Sequence, residues 1–379
     1  MLTWENIRRD FPVAERVAYL NSAAAGPVSR KVAEAASEFY REMEEGDARW
    51  DEWLARREVV RKRVAEFINA EPEEIAFTTN TSQGMNLIID ALEGRGEVIS
   101  DELEFPISTI AWLHRGSRVN FVGAVDGEIH LEDLQQAQNE KTAIICMSYV
   151  QYSNGFRINL EELGNIKGNH QLVINASQAA GAFEIDVKRM KIDALCSTGH
   201  KWMLAGYGSG FVYLSRKLLN ETRARAIGWL SVEEPFADRN RDFQLRLDAA
   251  ARAELGCPHF AGIFALGASA DYMMQIGKKN IEEHVLQLNR YLTGRLADEG
   301  WRVLSPLRVE SSRSAETLVA ADNPKLVVEH LARRNVLVTE KPQGIRVATH
   351  FFNNEEDVER LIVALKSKDE GGRMKDEVK

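Results

Sequence analysis

The chain has 379 residues, 44% hydrophobic and 28% charged, and its 48 basic and 57 acidic side chains give a formal charge of −9. This composition is typical of a water-soluble globular protein with one large domain and a smaller one, and the acidic balance excludes sequence-independent nucleic-acid binding. Three scattered cysteines, the lack of any apolar run of about 18 residues and the lack of a leader pattern argue against a disulfide framework, a metal centre and a membrane helix, so we expect a cytoplasmic protein.

The first two-thirds of the chain predict an α/β fold. Apolar residues at helical spacing predict two early helices over 32–43 and 50–68. Short β-rich runs then alternate with helical or loop segments. These runs are 75–79, 97–100, 119–122, 142–150, 171–177, 193–199 and 210–215. Strands separated by crossover helices predict a mostly parallel sheet with helices on both faces.

The last third of the chain predicts a different arrangement. A long helical stretch over 260–300 leads into short strands and then into the strand 344–352. Asn353 or Asn354 can cap a final helix whose first turn is acidic. We therefore predict a large domain over 16–254 and a smaller α+β domain formed by 1–15 and 255–379.

Polar residues directly after predicted strands are candidate ligand-binding groups, because ligands bind beyond the carboxyl ends of parallel strands. Thr81 and Ser82 open the helix after the first strand of the sheet. They can bind a phosphate through hydroxyls and free backbone N–H groups, or they can form a simple helix cap. Asn175 and Gln178 are two amides delivered by the end of another apolar strand.

Two cationic residues stand out in segments that are otherwise built for burial. Lys201 follows a strand beside Thr198 and His200, where a buried ammonium is costly unless it is neutralised or bonded, for example as a Schiff base. Arg346 alternates with apolar neighbours on a strand and can capture a carboxylate with its guanidinium fork, although such a residue by itself more often forms a surface ion pair. The glycine-rich run 206–210 precedes a strand and not a helix, so it does not meet the dinucleotide-binding pattern.

Six ordered motifs resemble those of one known family over essentially the whole chain. They are YLNSAAAGP (19–27), TTNTSQGMN (78–86), EFPISTIAW (104–112), VINASQAAG (173–181), STGHKW with GYGSG (197–210) and IRVATHFFNNEEDVERL (345–361). Their order and spacing resemble the class V aminotransferase superfamily of pyridoxal-phosphate enzymes. The resemblance implies fold type I, with a large domain built on a mostly parallel seven-stranded sheet, and a homodimer that shares its active sites through the segment 256–262.

The resemblance also implies roles for individual residues. Lys201 would form the covalent link to the cofactor aldehyde and move the Cα proton of the substrate. Gln178 would bond the phenolic oxygen of the cofactor and Phe105 would stack on its ring. Arg346 would bind the α-carboxylate of a small amino acid, with Tyr152 near the substrate. The cofactor phosphate would be held by Thr81, Ser82, Thr198 and His200.

The sequence departs from the family pattern in two places. Asn175 stands where the family has an aspartate that pairs with the pyridine nitrogen, and a neutral amide supports the ring less well as an electron sink. The stretch before Arg346 also lacks the cysteine that carries sulfur in the desulfurases. We therefore expect carbon–sulfur or β-elimination lyase chemistry without a persulfide. The alternatives are an aminotransferase, an isopenicillin N epimerase-like enzyme, or a cofactor-binding protein with little turnover because of Asn175.

Overall fold

A computed structural model describes residues 3–237 and 241–367 of the chain. We number its helices α1 to α13 in chain order. Their bounds are Trp4–Arg9, Arg30–Met43, Trp50–Ile68, Thr81–Leu92, Ile107–His114, Leu131–Gln136, Leu160–Ile166, Arg216–Glu221, Ala250–Ala253, Phe260–Ile276, Lys278–Asp298, Pro324–Ala332 and Glu355–Lys366. The two early helices predicted from the sequence are confirmed as α2 and α3.

The strands are numbered β1 to β12 in chain order. Their bounds are Ala18–Tyr19, Ile75–Thr78, Glu97–Asp101, Val119–Val122, Thr142–Ser148, Gln171–Asn175, Ala194–Thr198, Gly210–Leu214, Glu316–Ala320, Val336–Leu337, Thr339–Lys341 and Gly344–Ala348. Strands β2 to β8 form a seven-stranded sheet in the order β2-β8-β7-β6-β5-β3-β4. Strand β8 is antiparallel to β2 and β7, and the remaining pairings are parallel. The predicted mostly parallel sheet is thus confirmed.

Both faces of the large sheet are covered. On one face Met85 of α4 and Trp112 of α5 pack with Cys146 and Cys196 of the strands. On the other face Ile145 and other strand residues pack in a larger apolar cluster that also contains residues of α3 and α10. Cys146 and Cys196 are fully buried among these side chains, and burial raises the pKa of both thiols.

The C-terminal part carries two smaller sheets. Strands β11, β12 and β9 form an antiparallel sheet, whereas β1 pairs in parallel with β10. Helix α13 begins with a capping box in which the Asn354 side chain accepts from the backbone N–H of Asp357. Of the two caps that the sequence allowed, Asn353 and Asn354, the structure therefore has Asn354. Nothing in this arrangement tests the division into domains at 16–254, which stays a prediction.

The N-terminal segment 18–26 connects the small sheets to the large one. Beyond the β1–β10 pairing, the backbone N–H of Ala348 donates to the carbonyl of Leu20 at 2.8 Å. Six residues further on, the N–H of Gly26 donates to the carbonyl of His200 at 2.7 Å. The segment therefore holds β12 in position relative to the end of β7.

Candidate active site

The N-terminus of α4 forms one side of the candidate site. Asn80 is the helix cap, because its side chain accepts from the backbone N–H of Gln83 at 2.9 Å. Thr81 and Ser82 are therefore the first helical residues, whose N–H groups have no partner inside the helix and can meet an anion. The Thr81 hydroxyl lies 2.6 Å from the Ser177 hydroxyl, whereas Ser82 is exposed.

The two amides at the end of β6 and just after it are buried and have fixed orientations. Gln178 accepts from the indole N–H of Trp202 at 2.7 Å and donates to the carbonyl of Ala23 at 3.0 Å. Asn175 accepts from the N–H of Ser177 at 3.1 Å and donates to Ser108 Oγ at 3.1 Å. Each amide NH₂ keeps a second hydrogen for another acceptor.

Lys201 lies directly after β7, next to an aromatic ring. Its Nζ is 5.6 Å from the centre of the Phe105 ring, and Phe105 lies in the connection between β3 and α5. Burial, reinforced by the positive charge of Arg346, lowers the pKa of Lys201 to about 8. A substantial fraction of the amine is therefore neutral and nucleophilic near physiological pH.

Thr198 and His200 are adjacent to the lysine and contact each other. The Thr198 hydroxyl lies 2.7 Å from Nδ1 of His200, and the imidazole stacks on Tyr207 with ring centres 4.5 Å apart. Burial, together with the charge of Lys201, lowers the pKa of His200 to about 4. The imidazole is therefore neutral at pH 7 and can act as a hydrogen-bonding group without adding positive charge.

Arg346 lies on β12 and reaches the opposite side of the site. Its Nη1 donates to the carbonyl of Tyr152 at 3.1 Å and lies 3.4 Å from the carboxylate of Glu316. The Tyr152 ring meets Phe105 edge-on with ring centres 5.0 Å apart, so Lys201, Phe105, Tyr152 and Arg346 form a continuous row.

Two charged residues of this site were not predicted from the sequence. Glu316 is completely buried at the start of β9, and neither of its carboxylate oxygens has a hydrogen-bond donor. Lys341 lies on β11, on the same face as Arg346, with its Nζ 4.2 Å from the centre of the Tyr152 ring. Burial raises the pKa of Glu316 and lowers that of Lys341, with Arg346 opposing the first shift and reinforcing the second. The sequence signal for Glu316 was a charge at the start of a short apolar strand, whereas Lys341 lies in the polar strand β11 and gave no such signal.

These side chains fit pyridoxal phosphate. Lys201 offers an amine to the aldehyde of the cofactor, and Phe105 offers an aromatic face to its ring. The start of α4, with the Thr81 and Ser177 hydroxyls, offers hydrogen-bond donors to its phosphate. Gly84 in the first turn of α4 lets the helix approach β7, since a Cβ there would lie 2.8 Å from Cβ of Cys196. The described ranges 3–237 and 241–367 contain no group of three or more residues suited to hold a metal ion. No helix in those ranges is long and apolar enough to cross a membrane.

A doubly wound sheet with a low-pKa lysine and a buried amide pair at the carboxyl ends of its strands, together with an arginine on β12 of the neighbouring sheet, defines an enzyme of the pyridoxal-phosphate class. The chain belongs to the aminotransferase class-V family, whose model matches residues 18–361. This confirms the family, the fold, the cofactor and the enzyme class expected from the sequence. The roles given to individual site residues stay predictions.

Known proteins of this kind resemble the chain over most of its length. It is 24% identical to the uncharacterized aminotransferase YcbU of Bacillus subtilis, with 96% of this chain and 98% of YcbU covered. It is 30% identical to a probable cysteine desulfurase of Methanothermobacter thermautotrophicus, with 76% and 74% covered. The solved apo structure of a cysteine desulfurase from Thermococcus onnurineus aligns with a TM-score of 0.87 at 24% identity, covering 97% of this chain and 98% of that one.

Proposed function

We propose that this enzyme binds a small α-amino acid and removes its Cα proton with Lys201, leading to loss of a β-substituent, as in a carbon–sulfur lyase. Pyridoxal phosphate, when bound, supplies an aldehyde that links to amines and a ring that accepts electrons from the substrate Cα. The lysine amine, with its pKa near 8, is suited both to bind that aldehyde and to accept and return a proton at Nζ.

The charged end of the site orients the substrate. Arg346 and Lys341 place two cations on one face of the β11–β12 hairpin, and buried Glu316 partly neutralises Arg346. A substrate carboxylate at this end finds net positive charge, while Phe105 and Tyr152 provide an apolar wall toward Lys201. The row of side chains therefore favours a compact amino acid with its carboxylate at Arg346.

The observation that favours a lyase over a persulfide-forming desulfurase is the hairpin before Arg346. Lys341 pairs with Gly344, so the connection between β11 and β12 is two residues long. Such a turn has no room for a loop that carries a cysteine. Cys146 and Cys196 are buried in the large sheet, and Cys257 lies on the segment that precedes α10 and not on this hairpin.

We further propose that the enzyme is a cytoplasmic homodimer whose segment 256–262 completes the partner's site. That segment lies against the glycine-rich turn after Lys201, with His259 Nδ1 3.0 Å from the carbonyl of Gly208. Trp229, Phe236 and Phe243 are exposed apolar residues in the same part of the chain. Sedimentation velocity tests the dimer, and a monomer at micromolar concentration contradicts it.

The decisive experiment combines spectroscopy with product analysis. The protein with added pyridoxal phosphate should show a visible absorption band that Lys201→Ala abolishes, and a protein without that band refutes the assignment. L-cysteine and L-cystine should then yield pyruvate and sulfur products. Amine transfer to a keto acid, or racemisation without pyruvate, would instead establish the aminotransferase or the epimerase-like alternative. A band with no turnover on any amino acid would identify a binding protein.

A further inference from the structure

Asn175 is the end of a buried hydrogen-bond chain that leads away from the site. Its Nδ2 donates to Ser108 Oγ at 3.1 Å, and Ser108 is in turn a hydrogen-bonding neighbour of the Glu104 carboxyl that favours its ionised form. All three side chains are buried. Because Ser108 has a single proton and accepts from Asn175, that proton points to Glu104.

Glu104 forms a carboxyl pair with Asp101. Glu104 accepts one hydrogen bond from the backbone N–H of Ser148 and another, at 2.7 Å, from the Ser148 hydroxyl. Gln151 Nε2 donates to one carboxyl oxygen of Asp101 and to one of Glu104, each at 2.9 Å. Within the described ranges no cationic side chain forms an ion pair with either acid. Two buried carboxyls without a cation retain a proton between them.

The retained proton belongs on Asp101 and the negative charge on Glu104. Burial, reinforced by the charge of Glu104, raises the pKa of Asp101. Burial raises the pKa of Glu104 as well, but hydrogen bonds from Ser148, Ser108 and Gln151 favour its ionised form. The site edge that holds Asn175 is thus backed by a buried anion one hydroxyl away.

The negative charge on Glu104 explains why an amide, and not a carboxylate, stands at position 175. An ionised aspartate there has no hydrogen to donate to Ser108, so it and Glu104 would compete for the single Ser108 proton. It would also add a second negative charge to a buried region without a cation. The neutral amide avoids both costs, and donation toward an anion makes its own oxygen a better acceptor.

We propose that Glu104 is a positioning residue that acts through Ser108 to orient and polarise the Asn175 amide toward the ring nitrogen of pyridoxal phosphate. The inference rests on the proposed function, because it requires the cofactor at this site. The chain has not lost the negative potential that a carboxylate supplies at position 175. It carries that potential two hydrogen bonds further from the ring, where it supports the ring more weakly than a direct carboxylate.

The test is a double-variant cycle with Asn175→Asp, Glu104→Gln and both together. Two readouts apply: the melting temperature of the apoprotein, and the pH midpoint of the visible band of the cofactor-loaded, substrate-free protein. Glu104→Gln should lower that midpoint by about one pH unit, because the anion that favours the protonated cofactor is gone. Asn175→Asp should lower the melting temperature by several degrees, and adding Glu104→Gln should restore most of that loss.

Two further variants make the cycle conclusive. Ser108→Ala breaks the chain without changing charge and should shift the pH midpoint in the same direction as Glu104→Gln. It also serves if the Glu104 variant does not fold. Glu132→Gln, an exposed carboxylate on α6, is the control and should shift neither readout.

The outcomes separate this inference from the proposed function. Additive effects of Asn175→Asp and Glu104→Gln on both readouts, or an unmoved midpoint in Ser108→Ala, would overturn the inference while the visible band leaves the proposed function intact. A wild-type protein that gains no band with pyridoxal phosphate overturns both.

Discussion

The amine of Lys201 gains its reactivity from its surroundings. Burial lowers its pKa to about 8, and the positive charge of Arg346 adds to that effect. The rate at which the apoprotein captures pyridoxal phosphate should therefore rise with pH around a midpoint near 8, since only the neutral amine attacks an aldehyde. Stopped-flow absorbance measures this rate.

Arg346→Leu is the matched comparison for that measurement. It removes a neighbouring cation, so the midpoint should move upward, toward the ordinary lysine value. A midpoint that is the same in both proteins would show that Arg346 does not act on the lysine.

Glu316 is a carboxyl whose ionisation opposes folding. Burial raises its pKa above the value in the unfolded chain, so unfolding releases its proton between the two pKa values and stability falls as pH rises through that window. Glu316→Gln lacks this loss. We therefore compare the stability of the variant with that of the wild type at two pH values by urea titration. The free energy of unfolding of Glu316→Gln minus that of the wild type should be larger at pH 7.5 than at pH 5, by about 1–3 kcal/mol. The exposed Glu340→Gln should show no such pH-dependent difference.

The candidate site was predictable from sequence only in part. Lys201, Phe105, Tyr152 and Arg346 fall in motifs, and the structure brings them into one row. Glu316 was not predictable, because its role depends on the register that aligns β9 with β12 some 30 residues later in the chain. Lone charges in short strands otherwise indicate solvent exposure.

At the scale of elements, the site depends on a close contact between α4 and β7. A Cβ on Gly84 would lie 2.8 Å from Cβ of Cys196, so Gly84→Ala must move the start of α4 away from the strand. We expect a loss of about 1–3 kcal/mol in the free energy of unfolding and weaker binding of inorganic phosphate by the apoprotein. Calorimetric titration and urea unfolding measure the two effects.

Gly294→Ala is the control for this prediction. Gly294 is exposed on α11, and a Cβ there would have no atom within 4 Å. Alanine should stabilise this helix by up to about 1 kcal/mol. Equal effects of the two glycine substitutions would contradict the close approach of α4.

The helices and the central strands were predicted better than the short strands. The seven β-rich runs of the sequence match β2 to β8, because buried parallel strands are continuous apolar segments. Strands β1, β10 and β11 are two or three residues long, too short for any periodicity. The pairing of Ala18 with Val336 joins residues more than 300 positions apart, which local patterns do not reveal.

At the scale of the whole molecule, one ion pair ties the N-terminal helix to the C-terminal helix. Arg8 bonds both oxygens of the fully buried Asp357, at 2.6 and 2.9 Å. Arg8→Met leaves that carboxylate buried without its cation, and we expect a loss of about 3–5 kcal/mol in the free energy of unfolding.

The neighbouring Arg9 offers a matched control. It pairs with Glu5 on the exposed face of α1, so Arg9→Met should cost no more than about 0.5 kcal/mol. Urea unfolding of the two variants measures the difference. Similar losses in both would contradict a special role for the buried pair.

The segment 18–26 also makes completion of the site depend on contacts between distant parts of the chain. Its partners on β10 and β12 lie more than 300 residues further along, and the large sheet lies between them in sequence. Contacts of such separation carry a large loop-closure cost, so we expect them to form after the large sheet when the protein refolds. The position of Arg346 relative to Lys201 should therefore be set late, and cofactor binding should return more slowly than secondary structure.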